Sequence, residues 1–346
     1  MSVEMIKSVV ITAPMEAAVH EIKQWSPQPD ELLIRCKAAA ICTTERLIFS
    51  GQRRVYPAIG GHEFAGIVEW VGETDSGLNV GDRVAIDAVR RCGRCYYCLK
   101  DFSNHCVEMR KRKLRNDFVL IGGGFAQYTV APAARAFRLS DSANLEEASL
   151  IEPLACCVHS VKKARVDLGD TVAVIGAGTM GILHLILLNL LGARVVMVDV
   201  DRDRLDFAKR MGAAEIVDAR TCDPTRSAQD LTDGRGVDAV FVTANSEAAG
   251  AQALAMVGRS GSIVFYSSQY PPGTLSLDWN RVHYEEITIT GAQGKTHKDF
   301  HEAVRLFSSG HVILAPLISK TISLDELPAE LGNKPAGPIQ RVVVRH

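Results

Sequence analysis

Four cysteines fall within sixteen residues of this 346-residue chain, in "RCGRCYYCLKDFSNHC", spaced Cys92-x2-Cys95-x2-Cys98-x7-Cys106. Two residues between thiols let one tight turn aim both at a single ion, and a tetrahedral zinc site takes four such ligands at about 2.3 Å. Four cysteines in one loop fill every position on the metal. No water or substrate position remains, and a closed site cannot act as a Lewis acid. The spacing therefore points to a structural zinc held by Cys92, Cys95, Cys98 and Cys106. An iron–sulfur cluster and a pair of disulfides are the alternatives. The first commonly uses other gaps, and the second suits a smaller, denser secreted scaffold. Arg91, Arg94 and Lys100 either offset the negative charge of a zinc tetrathiolate or are simply solvated. His105 is a spare donor that four thiols make unnecessary.

A second donor set is scattered along the chain. "AAAICTTERL" holds Cys42 and Thr44, "GGHEFAG" holds His62 and Glu63, and "LIEPLACCVH" holds Glu152. Each segment alone is weak, because a lone histidine or cysteine is more often packed in a core. Together, a thiolate, an imidazole and carboxylates make a mixed-ligand zinc site that keeps a position open for water or an alcohol. Cys156 and Cys157 read better as small core residues than as ligands.

"DTVAVIGAGTMGILHLILL" begins as an apolar, β-branched strand, turns through glycines and continues as a helix. Gly176, Gly178 and Gly181, with Thr179 and Met180 between the last two, form G-x-G-x-x-G in its required context of strand before and helix after. The first glycine permits the turn, the second admits a pyrophosphate, and the third lets the helix pack on the sheet. The helix N-terminus favours the phosphates. Asp199 ends the next strand, 23 residues past Gly176, where a carboxylate bonds the ribose hydroxyls and repels a 2′-phosphate. NAD is expected over NADP, although Arg202 and Arg204 are cations that could serve a 2′-phosphate. His159 reads as packing, or as a neighbour of the nicotinamide.

Taken in order, "GHEFAGIVEWVG", "GDRVAI", the four-cysteine loop, "GGFAQYTV", "EPLACCVH" and the glycine motif resemble the zinc-containing medium-chain dehydrogenases over nearly the whole chain. The polyol branch, with its sorbitol and threonine dehydrogenase relatives, is the most similar. The resemblance implies that Cys42 and His62 bind a catalytic zinc, with Glu63 and Glu152 as carboxylates that reach it directly or through water. In the simple-alcohol branch a cysteine stands at the place of Glu152, so the carboxylate points to the polyol branch. Thr44 matches the family's hydroxyl proton relay, and Arg204 matches an arginine that accompanies NAD. Glu45 is a candidate partner for the second imidazole nitrogen of His62. Two positions depart from the pattern. Leu47 stands where many relatives carry a proton-carrying histidine, so the proton must leave through cofactor hydroxyls or water. Asp101 stands where the cysteine loop usually has glycine, and must tolerate a left-handed turn.

These sites need elements to position them. Residues 1 to 155 read as short strands with turn signals, among them "SVVIT", "ELLIRCKAAAI", "FAGIVEWVG", "DRVAIDA" and "FAQYTVAP". Residues 156 to 294 alternate strands with helices. The expected class is α/β: a β-barrel-like, chaperonin-10-like catalytic domain and a doubly wound Rossmann cofactor domain. The resemblance implies that residues 295 to 346 rejoin the catalytic domain, which is then discontinuous (1–155 and 295–346, around 156–294).

Hydrophobic residues make up 47 % of the chain and charged residues 23 %, with a formal net charge of −1. No global field recruits nucleic acid or an anionic membrane. The window 181–200 is interrupted by His184, Asn189, Gly192 and Arg194, which suits a buried helix and strand rather than a membrane span. The start of the chain lacks the apolar run of a signal peptide, and thiols used for metal suit a reducing, cytoplasmic location. The segment 110–115 carries Arg110, Lys111, Arg112, Lys113 and Arg115. It reads as a solvated loop or as an anion-binding rim near substrate.

The resulting expectation is an enzyme that moves a hydride between NAD and a secondary alcohol in a polyol, sugar or cyclitol, with two zinc ions per chain. The alternatives are an amino alcohol, as in the threonine branch, or a simple alcohol. A non-enzymatic protein of the same fold is disfavoured, because a binding module needs no thiolate at Cys42. The resemblance also implies a homo-oligomer, dimer or tetramer.

Overall fold

The computed structural model describes residues 4–110, 114–269, 272–333, 337–339 and 341–346. The chain divides into two compact units. One comprises Met1–Ala155, Lys295–Pro335 and Arg341–His346, and the other Cys156–Gly294 with Ala336–Gln340.

The first unit is built from two sheets. In the larger, the strand Glu31–Ala40 pairs antiparallel with Glu63–Val71, with Tyr128–Pro132 and with the C-terminal strand Arg341–Arg345. Eight of its ten positions are buried, as expected of a strand with partners on both edges and packing on both faces. Ala38, Ala39 and Ala40 are fully buried, and their small side chains admit the helix Leu145–Ala148 against the strand. The smaller sheet runs Glu16–Lys23, Met5–Ala13, Ala58–Ile59, Phe118–Leu120, Leu114–Arg115. Trp25, Phe64, Phe125, Ile34 and Ile48 anchor the core. The strands Glu16–Lys23, Ala58–Ile59 and Ile318–Ser323 escaped the sequence pattern. They are short, or half-exposed, and lack a continuous apolar run.

The second unit is a six-stranded, wholly parallel sheet in the order Glu215–Asp218, Arg194–Asp199, Thr171–Ile175, Val237–Val242, Val257–Phe265, Thr288–Gly291. The strand Thr171–Ile175 is buried at every position, because helices cover both faces of such a sheet. Strand order reverses beside it, which makes its C-terminal end the crevice where doubly wound folds bind ligands. The apolar window 181–200 resolves into the helix Thr179–Leu190 and the strand Arg194–Asp199. Among the described residues, no helix is long and apolar enough to cross a membrane.

Candidate active site

Cys42, His62 and Glu63 come together although they lie on different elements. One ligand atom from each falls within 4.8 Å of the other two. Cys42 is the N-cap of the helix Thr43–Phe49, and His62 directly precedes the strand Glu63–Val71. Glu45, with no exposed surface, fastens these segments. Its Oε2 accepts the Cys42 backbone N–H at 3.1 Å. Its Oε1 accepts the Gly61 N–H at 3.1 Å and faces His62 Nδ1 at 2.7 Å. With the proton on Nδ1, the other imidazole nitrogen is left as a lone-pair donor.

A second strut is glycine. Gly60–His62 lies against residues 122–125, joined by the Gly123 and Gly124 N–H groups donating to the carbonyls of Gly60 and Gly61 at 3.1 and 3.0 Å. Gly122 has φ +87°, and a β-carbon on it would run into the backbone of His62. Only glycine allows that approach.

The electrostatics favour a ligating thiolate. Burial pushes the Cys42 thiol up, but the hydrogen bond and charge of His62, together with Arg341, overcome it and bring the pKa down to about 6. Burial also works against a charged His62, yet Glu45 and Cys42 raise its pKa well above the ordinary value. Glu63 is pushed well up by burial and by Cys42 and Glu152, against the pull of Arg341. Arg341 Nη2 stands 3.2 Å from Glu63 Oε1, and its Nη1 donates to the Ile41 carbonyl at 3.1 Å. Glu63 Oε2 is buried and has no hydrogen-bond partner among the described residues.

Thr44 Oγ1 lies 3.9 Å from Cys42 Sγ. Glu152 is buried nearby, outside the mutually close trio. Lys295 ion-pairs with its carboxylate. Burial alone would raise the pKa of Glu152, and Lys295, His62 and Arg341 lower it. Cys157 is buried, with its thiol 3.7 Å from the Met180 carbonyl. Among the described residues, neither it, nor Cys156, His105 nor His159 joins a metal-ligand group. The side chains of residues 110–113 lie outside the described residues, while Arg115 is ion-paired with Glu31.

Cys92, Cys95, Cys98 and Cys106 form the other donor group, again within 4.8 Å. None is in a disulfide. The Cys92 N–H donates to Cys106 Sγ at 3.2 Å and the Cys95 N–H to Cys92 Sγ at 3.3 Å. Backbone N–H groups lower the Cys95 pKa to about 6. Asp101 adopts φ +59°, the left-handed turn expected of it.

In the second unit, the glycine loop is shaped for a phosphate group. Gly176 has φ +108°, and a β-carbon there would meet Thr243 Oγ1 at 2.6 Å. A β-carbon on Gly181 would strike the Gly176 carbonyl, whereas one on Gly178 would meet nothing within 4 Å. The middle glycine, at the helix N-cap, therefore opens onto free space. Asp199 Oδ2 accepts the Ala177 N–H at 2.6 Å, and its Oδ1 accepts the Val200 and Asp201 N–H groups at 2.7 and 2.9 Å. Arg204 lies 3.7 Å from Asp201, and Arg202 pairs with Asp206 at 2.9 Å. A cavity opens at the C-terminal ends of Val237–Val242 and Val257–Phe265, lined by Asn245, Ser246, Phe265, Ser267 and Leu275 among others.

Residues 28–141 match the alcohol dehydrogenase GroES-like domain, and residues 179–309 match the zinc-binding dehydrogenase domain. The chain is 35 % identical to the L-threonine 3-dehydrogenase of Bacillus subtilis (strain 168) over 86 % of its own length and 85 % of that protein's. The chain belongs to the zinc-containing medium-chain alcohol dehydrogenases. Members of this family are oxidoreductases acting on CH–OH donors with NAD(P), and so is this chain. This dehydrogenase is also 30 % identical to the sorbitol dehydrogenase of the same organism, over 93 % of its length and 91 % of that protein's. Its fold matches that of a zinc-binding dehydrogenase from Sinorhizobium meliloti 1021 bound to NADP, with TM-score 0.91 and 28 % identity, covering 99 % of this chain and 100 % of the other.

The residues present suit the family's zinc and dinucleotide. Glu63 Oε2 is a buried oxygen lacking a partner beside a low-pKa thiol and an imidazole, a donor set typical of an open zinc site. The space over Gly178 suits a pyrophosphate. Two features of this dehydrogenase, Arg341 and Lys295, had no motif to mark them, and the glycine stack against His62 had one. The "GGG" run ahead of Phe125 was the one available signal, since consecutive glycines imply close backbone approach.

Proposed function

We propose that the chain oxidises a secondary alcohol of a polyol, sugar or cyclitol with NAD, using one zinc at Cys42, His62 and Glu63 and a second, structural zinc at Cys92, Cys95, Cys98 and Cys106. The convergence of Cys42, His62 and the partnerless Glu63 Oε2 carries this reading. Zinc at the first group would lower the pKa of a substrate hydroxyl, and NAD at the glycine loop would accept the hydride. Glu45 orients His62. Thr44 takes up the hydroxyl proton and passes it on. Leu47 offers no carrier for the next step, so the proton continues to solvent or a cofactor hydroxyl. Lys295 keeps Glu152 anionic beside the group. Asp199, with Gly178 open for the pyrophosphate, favours NAD by repelling a 2′-phosphate.

The test is NADH formation with a panel of polyols, cyclitols, amino alcohols and simple alcohols, with NADP run in parallel. Turnover of one polyol class with NAD supports the reading, and selective turnover with NADP overturns the role of Asp199. The identity to a threonine dehydrogenase supports a second reading, an amino-alcohol substrate, which the same panel separates. Cys42→Ser should abolish turnover while leaving NAD binding nearly intact. Metal analysis should give about two zinc per chain, one at the open donor group and one at the closed four-cysteine group.

A further inference from the structure

Three arginines of the first unit gather around one carboxylate that is already satisfied. The strand Arg83–Ile86 pairs antiparallel with Ala136–Arg138, with Ala136 opposite Ile86. The adjoining residues are tied by the Asp87 N–H, which donates to the Arg135 carbonyl at 3.0 Å. From Asp87 the chain runs through Arg90 and Arg91 into the cysteine loop, and the charges of both arginines act on Arg135. Asp87 has no exposed surface. Arg91, His297 Nδ1 at 3.3 Å and the Val89 N–H at 3.3 Å hold its carboxylate, and Lys295 Nζ stands 4.0 Å away. The other acid near Arg135, Glu31, is ion-paired with Arg115.

The arginines are less well served than the acids. The Arg91 side chain is 9 % exposed. Its Nη1 pairs with Asp87 and its Nη2 donates to the Lys295 carbonyl at 2.8 Å, but its Nε is buried with no hydrogen-bond partner among the described residues. Arg90 and Arg135 are half-buried, and neither guanidinium makes a hydrogen bond or ion pair among the described residues. Burial pushes the Arg135 pKa down to about 10. Asp87 and Glu31 pull against that fall, while Arg90 and Arg91 add to it. Lys295 is ion-paired with Glu152 and Arg115 with Glu31, so Arg90, Arg91 and Arg135 face Asp87 with two positive charges in excess. Cations withdrawn from water need an anion. A phosphate-type dianion carries about −1.5 to −2 at neutral pH, and its oxygens fit guanidinium forks.

We infer that Arg90, Arg91 and Arg135 form a binding site for a phosphate-type dianion where the chain enters the cysteine loop. The site uses no residue of either metal-donor group or of the glycine loop, and it stands independently of the polyol reading. Its occupant is inorganic phosphate or the phosphoryl group of a phosphorylated small molecule, which present the same oxygens.

The test is calorimetric titration of the full-length, zinc-loaded protein with inorganic phosphate, with NAD held at saturation so that the glycine loop is occupied. One phosphate should bind per chain, more weakly as sodium chloride is raised. Arg135→Gln and Arg90→Gln should each weaken binding about tenfold, the scale of one lost charge-assisted hydrogen bond. Neither change touches the residues that hold Asp87, and if one variant fails to fold the other carries the same expectation. Absence of phosphate binding by the parent, or equal binding by the parent and the folded variants, overturns the inference. Michaelis constants for polyol phosphates and their unphosphorylated parents then separate the two sources. A value about tenfold lower for the phosphorylated compound, lost in Arg135→Gln, supports a site for a substrate's phosphoryl group. Equal values, with phosphate bound in the calorimeter, support a site for free phosphate.

Discussion

Glu45 Oε1 lies 2.7 Å from His62 Nδ1, and the same carboxylate caps the helix that begins beside Cys42. One buried side chain therefore orients the imidazole and sets the thiol against it. Glu45→Gln keeps the shape and removes the charge. We expect about tenfold weaker retention of metal at Cys42 and His62, in line with the effect of partners that orient ligands, with the cysteine-lobe metal unaffected. Zinc content after graded dialysis against a chelator would check this, and unchanged retention would remove Glu45 from this role.

The low pKa of Cys42 has a chemical consequence in metal-free protein. With a value of about 6, the thiolate fraction rises through pH 6 and is nearly complete at pH 8. Iodoacetamide should alkylate Cys42 along that curve. It should spare Cys36, which is fully buried and has its thiol pushed up by burial. His62→Ala removes the bond and charge that lower the pKa, and should slow alkylation of Cys42 at pH 7. Peptide mass spectrometry across pH 5–8 reads all three outcomes.

Gly122 and Gly77 make a matched pair for the glycine stack. Both have positive φ, but a β-carbon on Gly77 meets nothing within 4 Å, while one on Gly122 meets the His62 backbone. Gly77→Ala should cost about 1 kcal/mol, from conformation alone. Gly122→Ala should cost at least about 2 kcal/mol, because steric strain at a backbone contact adds to the same term. It should also weaken metal binding at His62. Urea denaturation of the two variants would sink the idea if their losses were equal.

His184 predicts a pH dependence in the cofactor unit. Its Nδ1 faces the Met180 carbonyl at 2.8 Å and its Nε2 faces Ser160 Oγ at 2.8 Å, linking the phosphate-loop helix to the helix Ile151–Val161. Burial lowers its pKa to about 4, against a small rise from the Met180 carbonyl. The unfolded chain, with a histidine near about 6.5, binds a proton that the folded chain refuses. The stability is therefore present in full above pH 6.5. It is lost as pH falls toward 4, by about 3 kcal/mol over that window. His184→Gln should flatten the difference between urea midpoints at pH 7 and pH 4.5. A variant with the parent's pH slope would contradict the assignment.

Much of the site is legible before folding because its signals are local. The cysteine loop declares itself by spacing, since two intervening residues suffice to aim both thiols at one ion. The dinucleotide loop declares itself by an apolar strand, three glycines and a helix within one stretch. Glu45 was within reach because it follows Cys42 by three residues, the interval at which a helix N-terminus returns a carboxylate to its cap. The conjunction of Cys42 with His62 and Glu63 was legible only through resemblance, since nothing in their spacing measures a distance in space.

By itself, the sequence marked the four-cysteine loop and the Rossmann cofactor loop, because turns and strand–helix alternation are written in neighbouring residues, while the dehydrogenase class and the second donor set were read through resemblance. Only the tertiary structure decided which of the chain's many charges stand against those sites. Lys295 meets Glu152 across 143 residues and Arg341 reaches the Ile41 carbonyl across 300. In sequence, Arg341 and Lys295 are two of 39 cations with nothing to mark them. Burial made them consequential, because a charge removed from water must find its partner in the fold.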